Sequence, residues 1–117
     1  MLYVLLAYED EQQAALSSSE REAFRNACQA NDEALRISGH LLAAEALQNI
    51  CTATTVRLQH GQLSVTVGGL AATREQLIGI FTITARDLNE AIQVAASMPQ
   101  ARGGPIEVRP IVAYEQL

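Results

Sequence analysis

The pattern of apolar and polar positions opens on Leu2-Tyr3-Val4-Leu5-Leu6-Ala7-Tyr8, with apolar side chains at odd and even positions alike. Successive side chains of a strand point to opposite faces, so this run predicts a strand covered on both sides. Leu77-Ile78-Gly79-Ile80-Phe81-Thr82-Ile83-Thr84 starts in the same two-sided way and predicts a central strand. Between them, Ser17, Ser18 and Ser19 precede Glu20 and Glu22 as two overlapping Ser-x-x-Glu capping boxes. A helix is expected from there to about Ser38, with Gly39 as its stop. Phe24, Ala27, Cys28, Ala34 and Leu35 recur at helical spacing as its apolar stripe. Asn31 interrupts that stripe, and a buried amide must find partners in the backbone or in a ligand.

His40 to Leu47 could continue helically, but its place after a Gly stop and before a hairpin predicts a short strand. The hairpin is carried by Thr54-Thr55-Val56-Arg57-Leu58-Gln59 and Gln62-Leu63-Ser64-Val65-Thr66-Val67, which flank His60-Gly61. Asp87-Leu88-Asn89-Glu90 caps a second helix with Leu88, Ala91, Ile92 and Ala95 as its stripe and Pro99 at its end. Gly103-Gly104-Pro105 turns the chain into a last strand, Ile106 to Ala113, in which Pro110 predicts an edge or a bulge.

The resulting order is a ferredoxin-like α+β plan with an inserted hairpin, expected as one domain spanning residues 1–117. Two helices cover only one face of such a sheet. The two-sided strands therefore predict that the other face packs against a second copy in a homodimer.

Charge and composition narrow the partners. The chain has a net charge of −5 and no Lys, its eight basic residues being scattered Arg, which argues against nucleic acid. Glu9-Asp10-Glu11 follows the first apolar run at once, so that run reads as neither a signal peptide nor a membrane span. Cys28 and Cys51 have no CxxC spacing, which leaves a metal or redox motif unsupported and fits a reduced, cytoplasmic setting. Both are expected to be small buried hydrophobes. No cofactor or metal site is expected, because phosphate-cradling, nucleophile-elbow and zinc-helix motifs are all missing.

The opening strand ending in Tyr8, Leu35, Gly39, Glu45-Ala46-Leu47, Thr54-Thr55-Val56-Arg57, Thr73-Arg74-Glu75-Gln76-Leu77, Asp87-Leu88-Asn89-Glu90-Ala91, Pro99 and Ile106-Glu107-Val108-Arg109-Pro110 together resemble the YCII-related proteins, and within them the DGPF subgroup. The resemblance covers nearly the whole chain and implies a dimeric α/β-barrel. It also implies a link to extracytoplasmic-function sigma factors, with which some members are encoded or fused. In the broader group an active-site role is ascribed to a His and an Asp. Here the subgroup's Asp-Gly-Pro-Phe falls on Val67-Gly68-Gly69-Leu70, and the first helix has no His. A Val side chain accepts neither a proton nor a hydrogen bond.

The candidate site residues that remain are Tyr8, Asn31, Glu45, Glu75 and Arg109. Glu45 is a lone carboxylate among Leu and Ala, and burial there would raise its pKa enough for acid–base work. Arg109 could meet a carboxylate ligand with two hydrogen bonds. His40 and His60 read as surface residues. The missing Asp and His favour a homodimeric small-molecule-binding or regulatory domain. The alternatives are a cofactor-independent lyase, isomerase or oxygenase using Glu45, and a partner protein of a sigma factor.

Overall fold

The computed structural model describes residues 1–69 and 74–117. Four strands form one antiparallel sheet in the order β2-β5-β1-β6, where β1 is Leu2–Glu9, β2 is Leu41–Ala46, β5 is Gln76–Thr84 and β6 is Ile106–Pro110. The two strands with two-sided apolar patterns, β1 and β5, are the central pair. The order is that of a ferredoxin-like fold, built from β1-helix-β2 and β5-helix-β6 halves. Between the halves, β3 (Thr54–Gln59) and β4 (Gln62–Val67) pair, among the described residues, only with each other. Their turn places His60 at φ 52° and Gly61 at φ 77°, the two positive values that a two-residue hairpin loop of matching twist requires.

Among the described residues four α-helices accompany the sheet: α1 (Glu11–Ala14), α2 (Ser18–Ile37), α3 (Leu88–Ser97) and α4 (Gln100–Gly103). Ser17 and Glu20 close a reciprocal capping box at the start of α2, and Gly39 leaves the helix at φ 84°. Asp87 accepts from the Glu90 amide at the start of α3. Each of these caps satisfies amides that the first turn of a helix leaves without partners.

The core lies between the helices and one face of the sheet. Tyr3, Leu5 and Ala7 from β1 meet Phe81 and Ile83 from β5, with Leu35 from α2 and Ala91, Val94 and Ala95 from α3 above them. On the opposite, open face, register lines up Glu45, Ile80, Leu6 and Glu107 in one row across all four strands, and Ala43, Thr82, Val4 and Arg109 in the next. An apolar centre is thus flanked by charged residues on the two outer strands.

The helices depart from the expected stripes. On α2 only Leu35 is buried; Phe24 and Cys28 are half-buried, and Ala27 and Ala34 are exposed. The long helix stands off the sheet along its first half and leaves space beneath it. On α3 the buried set is Ala91, Val94 and Ala95, while Leu88 and Ile92 are about half exposed. After Pro99 the chain makes one further turn, α4, which the sequence pattern did not indicate. The last strand ends at Pro110 rather than Ala113 and is an edge strand, as a Pro without an amide donor requires. Cys51 lies exposed in a 3-10 turn, Ile50–Thr52, contrary to its expected burial.

Candidate functional site

The space beneath α2 is a groove of about 610 Å³ between that helix and the helix-side face of β2 and β5. Its sheet side is apolar, with Ala44, Ile78 and Phe81, and Gly79 keeps the floor low. A side chain at Gly79 would press on the Phe81 ring, at 3.0 Å from Cε2. Phe24 lines the groove from α2. The only two Phe residues of the chain therefore both line the same space, from facing elements.

Polar groups line the groove from several elements, among them Arg21, Arg25 and Arg36 on α2, Glu45 on β2 and Asn49 after it. Asp32 comes from α2, one turn beyond Cys28; Gln100 comes from α4; Glu9 closes the end of β1. Among the described residues, Asp32 Oδ1 and Gln100 Oε1 are buried without a hydrogen-bond partner. Gln100 and Glu9 are each only 8% exposed. A buried acceptor without a donor costs about 1–3 kcal/mol, so two at one site create a standing demand for donors. Burial raises the Asp32 carboxyl above its ordinary value, with the Arg36 guanidinium acting in the opposite sense. Burial likewise pushes the Cys28 thiol up to about 11, helped by the Asp32 charge and opposed by Arg102. The groove thus holds a protonated thiol at neutral pH, which is a poor nucleophile.

A second, shallower hollow of about 580 Å³ lies by the end of β1, where Tyr8, Arg74, Glu75, Pro105 and Glu107 meet. The Tyr8 hydroxyl donates to the Glu107 carboxylate at 3.2 Å. Burial raises the Tyr8 pKa most, the Glu107 hydrogen bond and charge add to it, and Arg109 opposes them.

The five residues singled out in the sequence do not form one site. Tyr8 and Glu75 share the shallow hollow, with Arg109 close enough to act on Tyr8 through its charge. Glu45 is exposed on the outermost strand β2, at the edge of the groove, so the enclosed apolar setting expected for it is not found. Glu45 and Arg109 sit on opposite edges of the sheet and cannot share a ligand of ordinary size. Asn31 Nδ2 is buried without a partner among the described residues, yet the neighbouring Asp32 is the one that lines the groove.

Asp32, Gln100 and Glu9 were missed by sequence reasoning. Phe24, Cys28, Asp32 and Leu35 follow helical spacing, so the stripe itself contained a carboxylate that could have been noticed. Nothing local marks Gln100. Val67, which stands where the subgroup has Asp, is 87% exposed at the end of the hairpin, and Gly68 follows at φ 105°. Leu70 and Thr73 lie outside the described residues. His40 is half-buried rather than on the surface, its Nδ1 lying 3.0 Å from the Thr84 carbonyl.

Three comparisons fit this geometry. The YCII-related domain family matches residues 1–115. A protein of Rhizobium meliloti strain 1021 is 33% identical over 118 residues, covering 98% of this chain and 95% of its own. Among solved structures, 5-chloro-2-hydroxyhydroquinone dehydrochlorinase from Burkholderia phenoliruptrix AC1100, in complex with 2,5-dihydroxybenzoquinone, superposes with a TM-score of 0.55 at 13% identity, over 99% of this chain and 98% of that one. That likeness is one of fold, the dimeric α/β-barrel plan. With the family match spanning nearly every element described above, the chain belongs to the YCII-related family.

Proposed function

We propose that this chain is a small-molecule-binding domain that acts as a homodimer and holds its ligand in the groove between α2 and the sheet. The observation that carries this reading is the pair of buried acceptors without partners, Asp32 Oδ1 and Gln100 Oε1, facing a space with Phe24 and Phe81 on its walls. Such a space favours a small planar body with hydroxyl donors on its rim, since aromatic walls accept a ring and unpaired acceptors favour O–H groups. The structural neighbour's complex with a dihydroxylated ring supports that ligand class by analogy of fold. Binding without turnover is favoured because Val67 replaces the subgroup's Asp and the Cys28 thiol is held protonated. The dimer reading rests on the open sheet face, where Ile80 and Leu6 are flanked in register by Glu45 and Glu107 as an interface core is flanked by a polar rim.

The test is titration with hydroquinone under anaerobic conditions, read by amide NMR shifts, beside 1,4-dimethoxybenzene, the same ring without O–H donors. Hydroquinone is expected to bind at α2, β5 and α4, and the dimethoxy ring at least about tenfold more weakly, as the loss of a hydrogen bond to a charged group implies. Asp32→Asn and Gln100→Ala should each narrow that difference. Equal binding of the two rings, shifts elsewhere, or no binding up to millimolar concentration would overturn the reading.

A second reading is favoured by one observation, the raised pKa of Asp32. If the groove supports turnover, Asp32 rather than Glu45 is the acid–base group, and Asp32→Asn abolishes activity while Glu45→Gln leaves it near wild type.

A further inference from the structure

The β3–β4 hairpin has two unlike faces. Register and alternation place Val56 opposite Val65, Leu58 opposite Leu63 and Thr54 opposite Val67 on one face. Thr55 opposite Thr66, Arg57 opposite Ser64 and Gln59 opposite Gln62 form the other. The polar face suits water. The apolar face is also in water: Val56 is 62% exposed, Leu58 71%, Leu63 67%, Val65 58% and Val67 87%.

Among the described residues, none covers that strip. The molecule extends 47 × 45 × 18 Å, and its radius of gyration is 16.1 Å, against about 13–14 Å for a compact chain of this length. A thickness of 18 Å holds the sheet and its helix layer, which pack about 10 Å apart, and leaves no room for a third layer. The hairpin therefore projects sideways as an arm, tied at its base by the Gly68 amide to the Ala53 carbonyl at 2.7 Å and by the Thr55 hydroxyl to the Gly68 carbonyl at 2.8 Å.

We propose that this arm is a dimerisation element whose apolar face docks on a second copy of the same chain. An isolated two-stranded ribbon is marginal in water. Its stabilising partner must then be present wherever the chain is made, at equal stoichiometry, a condition that a second copy meets by construction. The five side chains expose on the order of 500 Å², in the range of the largest, often functional, patch of a monomer. Two symmetry-related arms would remove on the order of 1,000 Å² from water, enough for a specific interface even before the open sheet face is counted. The strip carries no charge that would repel its own copy, and Arg57 lies on the opposite face. This inference rests on the homodimer reading and adds the surface that makes the dimer.

The experiment is light scattering at micromolar concentration on the full chain, on Leu58→Asp with Leu63→Asp, and on Arg57→Ser as a change to the polar face. The wild type and Arg57→Ser are expected at the mass of two chains. The double variant is expected to dissociate at least about a hundredfold more readily, since two carboxylates would otherwise be buried in an apolar contact. A double variant that keeps the two-chain mass overturns the arm while leaving the dimer. A wild type of one-chain mass overturns both. Because the double variant could lose its fold, hydrogen exchange on the wild type supplies an independent reading. Amides of β3 and β4 protected well beyond unfolded rates at high concentration, and less so on dilution, support docking; exchange at unfolded rates overturns it.

Discussion

The Arg21 guanidinium lies 3.8 Å from the Glu9 carboxylate, joining the first turns of α2 to the end of β1. The same Arg21 group also donates to the Gln13 carbonyl at 3.1 Å. Glu9 is buried, and without Arg21 its charge would stand against the groove with its partner gone. Because Arg21 itself is partly exposed, Arg21→Ala is expected to cost about 1–2 kcal/mol, at the lower end for a charge left without its partner. Urea denaturation should show the loss. Glu9→Gln, which removes the charge and keeps the shape, should cost less; a larger cost than that of Arg21→Ala would contradict the arrangement.

Asp32 should leave a signature in the pH dependence of stability. Its folded pKa is raised above the ordinary 3.8 by burial, so between the unfolded and folded values the native state binds the proton more readily than the unfolded chain. Stability from this group is full below the unfolded value and is lost as pH rises through the folded one. Asp32→Asn removes that loss. The variant should melt above the wild type at pH 7, with the difference shrinking below about pH 4, in line with the stability that binding sites commonly forgo. Calorimetric scans across that range would check it, and a variant that melts lower at pH 7 would refute it.

The two cysteines should react at different rates. Cys51 is exposed, whereas Cys28 is half-buried in the groove with its thiol pushed up to about 11. A thiol at about 11 rather than the ordinary 9.0 holds roughly a hundredfold less thiolate at neutral pH, and the thiolate is the reacting form. Iodoacetamide at pH 7.5 followed by mass spectrometry should label Cys51 first and Cys28 at least about tenfold more slowly. Comparable rates would mean that the groove is more open than its geometry states.

Local features were legible in the sequence because their physics is local. The Ser17–Glu20 box, the Gly39 stop, the Asp87 cap and the His60-Gly61 turn each act within a few residues, and all four appear where the pattern places them. The apolar runs of β1 and β5 fall on the two strands that have neighbours on both edges, the centre of the sheet. The order of those elements along the chain gave the ferredoxin-like plan. Tertiary structure alone decided the site. Whether Phe24 and Cys28 line a groove or fill a core depends on how far α2 stands from the sheet, which no spacing within α2 encodes. Glu45 stays exposed because register sets it on the open face of the outermost strand, a consequence of pairing rather than of its apolar neighbours. Asp32, Gln100 and Glu9 meet at one space only because α2, α4 and the end of β1 converge there, and convergence of distant segments is a property of the packed chain.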